Sequence, residues 1–281
     1  MKVGIGLPNS VPGATGKQLI EWARRADSYG FATLGTIDRV LYESWEPLIA
    51  LTGAAAVTER IGLMTAVMLG PLRGNGAAVA KQTKSLQAFC GGRLTLGMGL
   101  GGREEEYVRA GVALDQRAQL MDELLRSLRD GWSDPRMGPA ASAPPVLIGG
   151  AVNATFRRAA CLGDGWMAGG VTPEGFAEGR AKMASAWSDA GRKGSPHNAC
   201  LIYFSLGEQA HENAARYLGH YYEWLGERAV QLFVKQIAVK DASAVRRAVA
   251  GYEDAGCDTL VMFPNSSEPD QVDRLADTLE L

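Results

Sequence analysis

Histidine and cysteine are scarce in this chain of 281 residues, which has three of the first and four of the second. His197, His211 and His220 are too few and too scattered for a histidine-rich metal centre, so no metal site is expected. Cys90, Cys161, Cys200 and Cys257 form neither a CxxC pair nor a dense framework, and their apolar neighbours predict reduced, buried thiols. No apolar run is long enough to span a bilayer, which argues against a membrane protein. Met1 to Pro8 is too short and too glycine-rich for a secretion signal. Charge of one sign is also missing. A formal net charge of −2 creates no basic field to recruit nucleic acid or an acidic membrane. Together these absences predict a cytoplasmic globular protein acting on a small molecule.

What is present is a regular alternation. Short apolar runs at Val3–Pro8, Ala32–Ile37, Ile61–Leu69, Arg93–Met98, Pro145–Gly149, Gly165–Ala168, Ala199–Leu206 and Thr259–Phe263 predict strands. Helical periodicity fills the intervals, as with Leu19, Ile20, Ala23 and Ala26, or Leu120, Leu124, Leu128 and Trp132. Gln209 to Val239 reads as one helical region interrupted near Gly226. About eight strand-then-helix units match a single (β/α)8 TIM barrel spanning residues 1–281. The Pro-, Ala- and Ser-rich connection Ser133–Pro144 is the one candidate boundary, and a split there leaves a pair of doubly wound halves as the alternative.

The glycines of Gly97-Met98-Gly99-Leu100-Gly101-Gly102 follow a strand, as in a dinucleotide fingerprint. Arg103-Glu104-Glu105-Glu106 then puts carboxylates where pyrophosphate would sit, which disfavours that reading. Residues without Cβ atoms at a barrel mouth instead predict room for a flat ligand. Glu104 to Glu106 read as first-turn acids facing a helix dipole.

Several segments, in collinear order, resemble the bacterial-luciferase-like flavin-dependent oxidoreductases. They are Ala23–Phe31 with Thr36-Ile37-Asp38, Met64–Val67 with Pro71-Leu72-Arg73, Gly92–Gly99, Leu147–Gly150, and Arg158–Trp166. The resemblance implies a luciferase-like TIM barrel that uses reduced deazaflavin (coenzyme F420, favoured from the third-strand motif and the mouth arginines) or, alternatively, FMN. The expected chemistry is hydride transfer or monooxygenation on a small organic substrate, with a catalytically silent flavin-binding barrel as the other reading. A homodimer through the early helices is implied in the same way. A non-proline cis bond at Ala66–Val67 belongs to the resemblance too, with Thr65, Ala66 and Val67 behind the ring. Where many relatives have Asp-His after the second strand, this chain has Asp38-Arg39, which removes the usual imidazole. The short segment between the fourth and fifth strands predicts a small lid.

Cofactor contacts are therefore expected from Thr65, Ala66, Val67, Gly99, Gly101, Gly149, Gly150, Asn153 and Arg73. Free amides at a helix start suit a phosphate at Gly149–Gly150, with Asn153 as a contact or cap. Arg39, Arg73 and Arg103 could receive phosphates or an acidic coenzyme tail. Asp38 and His220 are the catalytic candidates, and the cluster His220-Tyr221-Tyr222-Glu223-Trp224 is a candidate pocket wall.

Overall fold

Each apolar run becomes a parallel strand in a computed structural model describing residues 1–281. The strands are β1 (Lys2–Gly6), β2 (Thr33–Thr36), β3 (Gly62–Leu69), β4 (Leu94–Gly99), β5 (Val146–Gly149), β6 (Gly165–Gly169), β7 (His197–Phe204), β8 (Ala238–Val239) and β9 (Thr259–Pro264). β1 to β7 pair in chain order, and β9 lies between β7 and β1, closing an eight-stranded parallel ring. The ring runs through the Ser133–Pro144 connection, so the alternative of two doubly wound halves is set aside. β8 is an addition that the sequence pattern assigned to helix. Its two residues pair with Tyr203 and Phe204 at the top of β7.

The helices between the strands are α1 (Gly16–Tyr29), α2 (Pro47–Ala55), α3 (Gly76–Phe89), α4 (Glu104–Ala110), α5 (Arg117–Ser133), α6 (Asn153–Leu162), α7 (Pro173–Asp189), α8 (Ala210–Tyr221), α9 (Glu227–Ile237), α10 (Ala242–Asp254) and α11 (Asp270–Leu279). Local chemistry sets their ends. Thr15 and Gln18 form a capping box at the start of α1, and Gly30 closes it with φ 86°. Gly226, at φ 83°, separates α8 from α9 at the interruption read from the sequence. No helix is long and apolar enough to cross a membrane. Cys90, Cys200 and Cys257 are buried, whereas Cys161 is exposed on the outer face of α6, against the expectation for all four.

The interior is filled by matching large residues to missing ones. A Cβ at Gly6 or Gly35 would collide with the ring of Phe263, so glycines on β1 and β2 make the space that β9 fills. The same logic governs the centre of the mouth. A Cβ on Gly97 would strike the carbonyl oxygen of Thr65, and one on Gly99 would strike a methyl of Val67. These two glycines admit the irregular stretch of β3, whose register against β4 shifts between Thr65 and Met68. Gly97 thus accommodates backbone of the neighbouring strand, whereas Gly99 also lines the mouth. Gly97→Ala is expected to cost about 3 kcal/mol, because backbone rather than a movable side chain stands in the way. Urea denaturation of the variant checks this, and unchanged stability would contradict it.

Candidate functional site at the barrel mouth

Two adjoining cavities lie over the carboxyl ends of the strands, where a (β/α)8 barrel places its ligands. They share Val67, Gly101, Gly169 and Leu201. Larger hollows of about 470 and 570 Å3 lie between outer helices and meet no end of the eight ring strands.

The first mouth cavity, of about 360 Å3, is a glycine-lined slot. Gly99 to Gly101 form one wall, Gly149 to Val152 and Thr155 the other, and Met167 to Gly169 the floor. The β5–α6 turn is held from below, since Trp166 Nε1 donates to the Gly150 carbonyl at 2.6 Å. Gly150 has φ 131°, and a Cβ there would also crowd the Thr155 hydroxyl at 2.7 Å. The amides of Ala151 and Val152 donate to no backbone carbonyl, and α6 begins immediately after them. Gly169 is open in a different way. A side chain there would meet nothing within 4 Å.

The second cavity, of about 270 Å3, is a chamber of tyrosines and paired charges. Tyr203, Tyr221, Tyr222, Trp224 and Phe233 supply its aromatic wall, the first from β7 and the rest from α8, α9 and their link. The Tyr203 and Tyr222 hydroxyls are 2.9 Å apart, and burial pushes both well above the ordinary phenol range. Burial likewise pushes Tyr42 up to about 12. These hydroxyls stay protonated near neutral pH and act as hydrogen-bond donors.

Arg39, Glu106 and Arg103 form the polar wall. Glu106 is not a solvated first-turn acid, because its side chain is 2% exposed. Its Oε1 accepts from Arg39 Nε at 2.8 Å and from the amides of Val40 at 2.8 Å and Leu41 at 3.3 Å. That single oxygen pins α4 to the loop after β2. Arg39 is 4% exposed at its side chain, and its Nη2 has no partner. Arg103 donates to the Tyr221 carbonyl and lies over the Tyr221 and Trp224 rings.

Most of the residues named from the sequence arrive here. Ala66 lines the chamber, Val67 and Gly101 line both cavities, and Gly99, Gly149 and Gly150 line the slot. The Ala66–Val67 peptide is cis. Thr65 is fully buried behind them, its hydroxyl donating to the Gly97 carbonyl at 2.8 Å. Asp38 reaches the chamber wall, but its carboxylate is engaged by the Leu69 amide at 2.8 Å and by Arg73. Burial raises its pKa, against the lowering field of Arg73.

Three candidates lie elsewhere. Arg73 bridges Asp38 and Glu46 on the outer side of β3, so its guanidinium braces a loop. Asn153 is the first helical residue of α6 and faces the outer hollow, while Val152 occupies the cap position. His220 is exposed on the last turn of α8, its Nδ1 3.0 Å from the Tyr42 hydroxyl, and lines neither cavity. Glu106, Thr155 and Gly169 were given no cofactor or catalytic role by sequence reasoning. The signal for Glu106 was its place beside Tyr107, whose ring packs inward on the same short helix.

The cradle suits a flat, phosphate-bearing ring system. The slot offers free amides at one end, the chamber offers donors at the other, and Val67 stands between them. The two volumes together fall within the usual range for organic cofactor sites.

Comparison with known proteins agrees with this geometry. The family model described as luciferase-like monooxygenase matches residues 1–277. An uncharacterised protein of Mycobacterium bovis is 31% identical over 175 residues, covering 56% of this chain and 61% of its own length. The chain thus spans less than two thirds of that relative. Among solved structures, an F420-dependent secondary alcohol dehydrogenase, in complex with an F420-acetone adduct, superposes with TM-score 0.83 at 19% identity, over 99% of this chain and 98% of the other. The oxygenating constituent of 3,6-diketocamphane monooxygenase from Pseudomonas putida, in complex with FMN, gives TM-score 0.74 at 16% identity, over 99% and 98%. At such identities these two likenesses speak to the fold.

Proposed function

The chain belongs to the luciferase-like monooxygenase family, and from that premise we propose that it is an oxidoreductase using a reduced deazaflavin or flavin bound across the barrel mouth. The observation that carries this reading is the continuous path from the free amides after Gly150 to the tyrosine chamber, with Val67 at the junction. In this reading the phosphate lies against Gly149 to Val152 and Thr155, where the α6 dipole favours negative charge. Val67 and the glycines around it set the plane of the ring. Coenzyme F420 is favoured over FMN on the third-strand motif Met64–Val67.

The bound cofactor would supply the hydride or the oxygen-activating electrons, and the protein supplies orientation and exclusion of water. Tyr203, Tyr221 and Tyr222 are the protonated hydroxyl groups that line the chamber, so a proton delivered to substrate comes from this wall. Asp38 acts by holding the β3 loop through the Leu69 amide and Arg73. Exposed Ile49 on α2 and Phe89 on α3 support a homodimer through the early helices.

Absorbance titration of the purified protein with each coenzyme tests the proposal. Saturable binding of one of them, followed by substrate-dependent oxidation of its reduced form, is the expected outcome. Tight binding without substrate-dependent oxidation would favour the silent flavin-binding barrel, and failure of both coenzymes to bind would refute the redox reading.

A further inference from the structure

We propose that Arg39 and Arg103 form a subsite for a carboxylate on the organic substrate, so that the substrate is a small acid with an apolar body. The inference rests on the cofactor reading above and adds the substrate's chemical class.

Both arginines line the same chamber, and each residue is only 8% exposed. They flank one aromatic ring, with Arg39 Cζ 5.4 Å and Arg103 Cζ 5.1 Å from the Tyr221 centroid. Two buried like charges around one side chain are unfavourable unless anions answer them. Glu106 answers only one. Its Oε1 meets Arg39 at Nε and is shared with two amides, leaving Arg39 Nη2 without a partner. Asp38, the other carboxylate of the chamber, is engaged by Arg73 and the Leu69 amide. Arg103 has no ion-pair partner, and its one hydrogen bond goes to the Tyr221 carbonyl. Burial and the field of Arg39 lower its pKa, and the fields of Glu106 and Glu105 offset this only in part. One positive charge is therefore in surplus, with guanidinium donors to spare.

The rest of the chamber is apolar or aromatic, through Leu201, Tyr222, Trp224 and Phe233. A carboxylate on a hydrocarbon or aryl body satisfies both halves of this lining. The coenzyme phosphate is assigned elsewhere, to the amides of the slot, which leaves these arginines free for the substrate.

The test uses 3-phenylpropionate and its uncharged counterpart 3-phenylpropionamide as probes, titrated calorimetrically into the full chain with and without coenzyme. The wild type is expected to prefer the acid by roughly tenfold or more, as charge-assisted hydrogen bonds would give. Arg103→Met is expected to abolish that preference, and Arg103→Lys to restore part of it, while separately measured coenzyme affinity is retained. The double variant R39M/E106Q removes the paired charges together and leaves Arg103, so it should weaken the preference without abolishing it. Equal binding of acid and amide by the wild type, or a preference surviving in R103M, would overturn the proposal. So would loss of coenzyme affinity in R103M without any acid preference, since the arginines would then serve the coenzyme tail. A wild type that takes neither coenzyme yet still prefers the acid would count against the redox reading alone and in favour of the subsite.

Discussion

Glu106→Ala is expected to destabilise the protein by roughly 3–5 kcal/mol, the usual cost of breaking a buried ion pair on one side. The substitution removes the acceptor for Arg39 Nε and for the Val40 and Leu41 amides together. It leaves a guanidinium that is 4% exposed with no counter-charge within the wall. The double variant R39M/E106L should recover much of the loss, because an apolar pair of similar volume avoids both desolvation costs. Urea denaturation of R39M, E106L and R39M/E106L gives the coupling directly. A single-variant loss within about 0.5 kcal/mol, the range of ordinary surface changes, would show that Glu106 is solvated after all.

Gly169→Phe should weaken coenzyme binding about a hundredfold, which corresponds to roughly 2.7 kcal/mol. Gly169 is the last residue of β6 and lines both mouth cavities. Its own backbone needs no glycine, since it is absent from the positive-φ positions and a Cβ would meet nothing within 4 Å. A phenyl group there enters the space assigned to the ring, so affinity falls while folding is preserved. Coenzyme titration alongside thermal denaturation separates the two effects. Undiminished affinity in a folded variant would move the cofactor out of the junction between the cavities.

These two residues show where reading the sequence succeeded and where it stopped. Alternation and glycine punctuation were enough for the barrel, because strands covered on both faces leave apolar runs that need no knowledge of partners. The cluster Tyr221-Tyr222-Trp224 was legible for a similar reason, being compact in sequence and placed at a helix end. Glu106 was read only as a first-turn acid because its partners lie 65 to 67 residues away, and no local pattern reports a pairing across that distance. The partners of Arg73 were equally out of local reach, its guanidinium being engaged by Asp38 and Glu46. Gly97 and Gly99 were singled out as room for a flat ligand, and the close approach of β3 to them was not read. Their missing Cβ atoms accommodate Thr65 and Val67 of the neighbouring strand, and Val67 in turn lines both mouth cavities. Asn153 and His220 were placed one helical face away from the mouth, a distinction that depends on helix phase rather than on residue type.

A crystal structure with the preferred coenzyme bound measures the central claim most directly. The account predicts a tricyclic ring lying against Val67 and over Gly169, with its phosphate on the amides following Gly149 and the tyrosine chamber left for substrate. A phosphate resting on Arg39 and Arg103, or a ring seated away from Val67, would contradict it.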